Sequence, residues 1–140
     1  MEEYVDPHQI VTKLLKNDPF SQWMGIEILE VKKGFCKCRC TINKSMQNGF
    51  AVTHGGIVFS LADTTLAFAA ATYGNVSLAI EHSISFIKKT EADTTLISEA
   101  SCLHMGSNTG NIKVDIYDSE RNLVATTKGL VYRTKKKVHP

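Results

Sequence analysis

Apolar residues recur along this chain with two periods, one helical and one alternating, and the places where the period changes predict its elements. Near the start, Asp6-Pro7 reads as an N-cap followed by proline in the first helical turn, and Ile10, Val11, Leu14 and Leu15 then repeat at helical spacing as far as Lys16. That predicts a short amphipathic helix. After Asn17-Asp18-Pro19, which opens a loop or short helical turn, Ile26–Val31 and Phe35–Ile42 read as two strands joined at Lys33-Gly34, a hairpin. In the second strand Cys36, Cys38 and Cys40 share one face and Lys37 and Arg39 the other, so the sulfurs belong to the core. Zinc sites usually pair their cysteines as C-x2-C at a turn, and residues two apart on a strand lie near the upper limit for a disulfide bridge. These three, and Cys102 with them, are expected to be buried free thiols.

The period changes again at Gly55, where a helix rich in small residues (Ala62, Ala67, Ala69, Ala70, Ala71) runs to about Tyr73 and ends at the C-cap signal Gly74-Asn75. A helix this apolar on nearly every side is expected to be buried. Everything after it reads as strand: Leu78–Lys88, Thr95–Met105, Asn111–Tyr117 and Leu123–Arg133, separated by polar turns. The fold class is therefore α+β, a five- to six-stranded antiparallel sheet wrapped around one long central helix, with a short helix at the N-terminus. No βαβ alternation and no internal repeat interrupts it.

A chain of 140 residues is expected to form a single domain over 1–140. Its net charge of +2 and dispersed basic residues give no nucleic-acid footprint. Lys135, Lys136 and Lys137 read as a solvated tail. The longest apolar stretch, Ile57–Ala71, is shorter than the ~20 residues a membrane span needs and carries Ser60, Asp63, Thr64 and Thr65. Met1-Glu2-Glu3-Tyr4 is acidic where a secretory leader would be basic, which gives a cytoplasmic expectation. His82, His104 and His139 show no metal spacing with any acid or cysteine, so no metal and no separate cofactor are expected.

Candidate chemistry concentrates between Asn48 and Thr64. Gly55 and Gly56 open the central helix, where backbone N–H groups have no partner within the helix and can stabilise negative charge on an oxygen. Asp63 sits among Leu61, Ala62, Leu66 and Ala67, where a solitary, poorly solvated acid is unusual. An oxyanion-binding helix start and a carboxylate together suggest attack on a carbonyl. His54 reads mainly as a brace for the loop from Asn48 to Gly55, with a direct chemical role as the lesser reading.

Asn48-Gly49, His54-Gly55-Gly56 and Asp63, with the surrounding order of strands and the matching segments Leu61-Ala62-Asp63-Thr64, Ser85-Phe86 and Gly106-x2-Thr109-Gly110, resemble the hot-dog thioesterases of the phenylacetate-degradation type. The likeness covers nearly the whole chain. It implies hydrolysis of an acyl-coenzyme A thioester, with Asp63 as nucleophile or general base, the Gly55 amide polarising the thioester oxygen, and Asn48 orienting water or carboxylate. Gly56 and Thr64 would line the same site. Lys88, with Lys89, would meet the coenzyme A phosphates or simply be solvated, and Ser107, Asn108 and Thr109 would offer hydroxyl, amide and backbone donors where relatives carry a basic residue. Where relatives hold water with a hydroxyl on the strand after the helix, this chain has Ala79. Thr64 could substitute for that hydroxyl.

Gly55 and Asp63 are eight residues apart, which on one helix is about 12 Å, too far for both to touch one carbonyl. Two such helices running antiparallel across a twofold axis would bring Asn48, His54 and Gly55 of one subunit to Asp63 of its mate. An obligate homodimer with two shared sites is expected, and the resemblance leaves open a further pairing of dimers into a tetramer, which is frequent in that family. Two other readings compete. A hot-dog hydratase or dehydratase would place a proline-rich turn around the histidine, and this chain has no proline between Pro19 and Pro140. A non-catalytic acyl-coenzyme A-binding module is favoured only by Ala79.

Overall fold

The computed structural model describes residues 4–138, so the readings placed on Met1, Glu2, Glu3 and His139 lie outside the described residues. Asp6 accepts the His8 amide to cap helix α1 (Pro7–Lys16), which buries Ile10 and Val11. The segment after Asp18 is a second short helix, α2 (Pro19–Met24), capped by the Asp18 carboxylate and closed by Gly25 at φ 72°. The long helix is α3 (Gly55–Ala71). Its last amides turn back three residues through Thr72, Tyr73 and Gly74, and Gly74 reverses the chain at φ 90°.

Among the described residues six strands form one antiparallel sheet: β1 (Glu27–Lys32), β2 (Phe35–Thr41), β3 (Asn75–Phe86), β4 (Thr95–Met105), β5 (Thr109–Tyr117) and β6 (Leu123–Lys137). Their spatial order is β1-β2-β4-β5-β6-β3, so β1 and β3 are the edges. The inner face of the sheet wraps α3, as in the hot-dog fold. Leu96 and Ala100 of β4, Ile112, Val114 and Ile116 of β5, and Val131 of β6 are fully buried with Leu61, Ala62, Leu66 and Ala69 of α3. Small side chains let the layers approach: a Cβ added at Gly129 of β6 would stand 2.3 Å from Leu66 Cδ1.

The alternation read in β2 holds. Cys36, Cys38 and Cys40 are fully buried, while Lys37 pairs with Glu99 on β4 and Arg39 with Glu27 on β1, each directly across the ladder. The hydrogen bond with Cys38, with burial, raises the Cys36 thiol, and burial pushes Cys40 up to about 11, so Cys36 and Cys40 stay protonated core groups.

Three expectations are corrected. Cys102 is only partly buried, because it lies beside a bulge in β4 where the strand leaves the tight inner face. Lys135, Lys136 and Lys137 are no tail: they complete β6, with Lys137 opposite Asn75, and Asn75 and Thr134 exchange side-chain bonds with the facing backbone. Nor is α3 enclosed on every side, since Gly56 is exposed and Phe59, Ser60, Asp63 and Ala67 are only partly buried.

Candidate active site

Between β2 and α3 the chain folds into a compact loop. A 3-10 turn at Lys44–Met46 is followed by Asn48, whose side-chain oxygen accepts the amides of Phe50 and Val52 at 2.9 and 3.3 Å. The loop is fastened by Thr53, which pairs with Thr90 through both backbone and hydroxyl, and by the His54 amide on Met46 O. Within one chain, the Asn48 carbonyl is thus spent on shaping the loop that delivers Gly55.

His54 is the N-cap of α3. Its Nδ1 accepts the Gly56 N–H at 2.8 Å, satisfying one of the donors that a helix start leaves open. Gly56 therefore does not present a bare amide, contrary to expectation, because the imidazole reaches it first. The Gly55 N–H has no acceptor among the described residues. It borders a cavity of about 270 Å³ whose walls include Thr53, Val58, Phe86, Lys88 and Thr90. Phe86 lies so close to Gly55 that an added Cβ would stand 3.2 Å from its ring, so glycine keeps this wall of the cavity open.

Asp63 is neither solitary nor poorly solvated in the single chain. Its side chain is 51% exposed, and Oδ1 lies 3.2 Å from Nδ1 of His82, whose own side chain is 5% exposed. The other imidazole nitrogen, Nε2, is 2.9 Å from the hydroxyl of Thr127 on β6. The Phe59 ring covers the imidazole with centroids 4.8 Å apart. His82 is the residue that sequence spacing missed, because it has no metal-ligand spacing and its partner lies 19 positions away.

The remaining candidates fall apart in space or in partnership. The Thr64 hydroxyl is 3.1 Å from Ser21 Oγ on α2, so it ties two helices together and is not a free substitute for a missing water-holding hydroxyl. The Lys88 ammonium is held 2.5 Å from the Asp118 carboxylate. Lys88, opposed by burial but joined by bonds from Asn122 and the Glu120 amide, holds that carboxyl well below the usual range. Lys88 therefore meets the cavity as half of an ion pair. Ser107, Asn108 and Thr109 are exposed at the turn from β4 to β5, and Ala79 is exposed on β3. Among the described residues no group of three or more His, Cys, Asp or Glu could hold a metal ion, and no helix is long and apolar enough to cross a membrane.

A family model described as the thioesterase superfamily matches residues 50–125. A protein of Archaeoglobus fulgidus named "Putative esterase" is 35% identical over 127 residues, covering 91% of this chain and 82% of its own length. The acyl-coenzyme A thioesterase PaaI of Escherichia coli is 32% identical over 120 residues, covering 86% of each chain. The solved structure of the E. coli PaaI protein, from the phenylacetic acid degradation operon, superposes with a TM-score of 0.93 at 30% identity, over 95% of this chain and 96% of that one.

Proposed function

The chain belongs to the thioesterase superfamily and is a PaaI-like hot-dog thioesterase, and from that premise we propose that it hydrolyses acyl-coenzyme A thioesters at a site built from Gly55 of one subunit and Asp63 of another. The observation that carries this reading is the division of labour along α3. An uncapped Gly55 amide borders a cavity at the helix start, while a half-exposed carboxylate stands eight residues on, about 12 Å away along the axis.

In the proposed reaction a water oxygen bonds to the thioester carbon as Asp63 takes its proton, and the Gly55 N–H holds the oxyanion that forms. The C–S bond then breaks, releasing the acid and coenzyme A as a thiolate, which needs little help from an acid. Direct attack by Asp63, through an anhydride that water then opens, fits the same placement.

Two features support the shared site. Edge strand β3 and the residue just after it expose Leu78, Ile80, Phe86 and Ile87 at 56–60%, an apolar margin suited to a second copy. The open side of α3 contains Asp63 itself. A homodimer joined along these surfaces, able to pair again into a tetramer, completes both sites.

Thiol release from a panel of aryl, medium-chain and hydroxylated acyl-coenzyme A thioesters tests this. Asp63→Asn should lower turnover by about a thousandfold or more with the fold intact, the scale on which removal of a central catalytic group acts. Wild-type turnover in that variant would sink the assignment. Mixing Asp63→Ala with Gly55→Pro chains should restore part of the activity, since one intact site forms when each subunit supplies what the other lacks.

A further inference from the structure

We propose that His82 is a positioning residue for Asp63, fixed in one tautomer by Thr127 and turned toward the helix by a bulge in β3; this rests on Asp63 acting at the thioester carbonyl. In the register of β3 against β6, Ala79 lies opposite the buried Val131 and His82 opposite the buried Gly129, so both side chains project from the helix-facing side of the sheet, with Ala79 still exposed on the edge strand of the single chain. Strict alternation from Ala79 would place Glu81 inward and His82 outward. The bulge between Ala79 and Glu81 absorbs one residue and reverses that phase. It brings an imidazole to Asp63 where a second carboxylate would otherwise stand.

The imidazole is seated on every side. Phe59 covers one face, a Cβ at Gly129 would come 3.3 Å from His82 Cδ2, and the ring nitrogens meet Asp63 and Thr127. An ionised carboxylate only accepts hydrogen bonds, so Nδ1 must carry the proton that faces Asp63. In the neutral ring Nε2 then accepts, and the Thr127 hydroxyl is its donor. Thr127 is 3% exposed, so no bulk water competes for that bond. One carboxylate oxygen is thereby anchored and Oδ2, with no partner among the described residues, is left to face the reacting water. The anchor supplies the orientation that a catalytic carboxylate needs.

His82→Ala should lower kcat roughly ten- to a hundredfold with KM nearly unchanged, the scale of losing an orienting partner. His82→Asn, whose amide can donate from near the Nδ1 position, should regain a large part of that loss. Thr127→Val, which keeps volume and removes the tautomer lock, should lower kcat by a smaller factor. Nitrogen-15 NMR of the labelled wild-type protein should show His82 protonated at Nδ1, and an Nε2-protonated neutral ring would overturn the proposal even if a variant failed to fold. If Asp63→Asn inactivates the enzyme while folded His82→Ala keeps wild-type kcat, this inference fails and the role of Asp63 stands. If Asp63→Asn is fully active, the reading of the site fails first.

Discussion

Along one side of α3, Leu61, Ala62, Thr65, Leu66 and Ala69 are fully buried against the sheet, whereas Gly56, Phe59, Ser60, Asp63 and Ala67 on the other side stay partly or wholly open in the single chain. The buried side is close-packed, with no room for a Cβ at Gly129 and fully enclosed sulfurs facing it from β2. The open side holds a polar chain from Asp63 through His82 to Thr127, and the uncapped Gly55 opens the same helix. One helix thus anchors the fold with one face and offers chemistry with the other. Substitutions on the two sides should therefore fail differently: buried ones should cost stability, and open ones should cost turnover or association.

The largest separation is expected at Leu66, fully buried and in contact range of β6 at Gly129. Leu66→Ala should destabilise the protein by about 2–5 kcal/mol, from lost burial and the cavity left behind. The folded fraction should keep near-normal kcat. Chemical denaturation beside thiol-release kinetics checks this, and a variant with unchanged denaturation midpoint but lost turnover would erase the distinction between the sides.

Next in size is the effect at the open margin. Ile80 is 59% exposed on edge strand β3, and Ile80→Glu should leave the fold of the single chain largely undisturbed. It should weaken association by about a hundredfold or more, because a charge placed in an apolar contact costs several kcal/mol. Light scattering should show dissociation at micromolar concentration, with activity falling in parallel. An unaltered oligomer would move the proposed interface away from β3.

The buried side was legible in the sequence because periodic burial writes periodic residues. Cys36, Cys38 and Cys40 alternate with charges, Gly34 and Gly74 punctuate the turns, and the alanines of α3 announce close packing. The open side was legible only in part. Gly55 and Asp63 stand out by type, but the bulge that turns His82 inward leaves no local mark: counting by twos from Ala79 selects Glu81. Bonds between distant residues are invisible to spacing for the same reason. His82 meets Thr127 across 45 positions, Thr64 meets Ser21 across 43, and Lys88 meets Asp118 across 30. The lysines at 135–137 misled because charge resembles a tail until the facing Asn75 is known to pair with Lys137.

The smallest effect is expected at the rim of the open side, where Lys88 borders the Gly55 cavity while paired with Asp118. The folded carboxyl of Asp118 titrates below its ordinary range, chiefly through Lys88. The unfolded chain, with its aspartate near pH ~4, binds the proton more readily than the folded one. The contribution to stability is therefore complete above about pH 5 and is lost as pH falls from ~4 toward the folded value. Asp118→Asn lacks this titration. Urea midpoints taken at pH 7 and pH 3 should fall further in the wild type than in the variant, with kcat at neutral pH the same in both. Equal falls would show that the pair adds nothing to the fold. A changed kcat would place Asp118 among the groups that serve the open side.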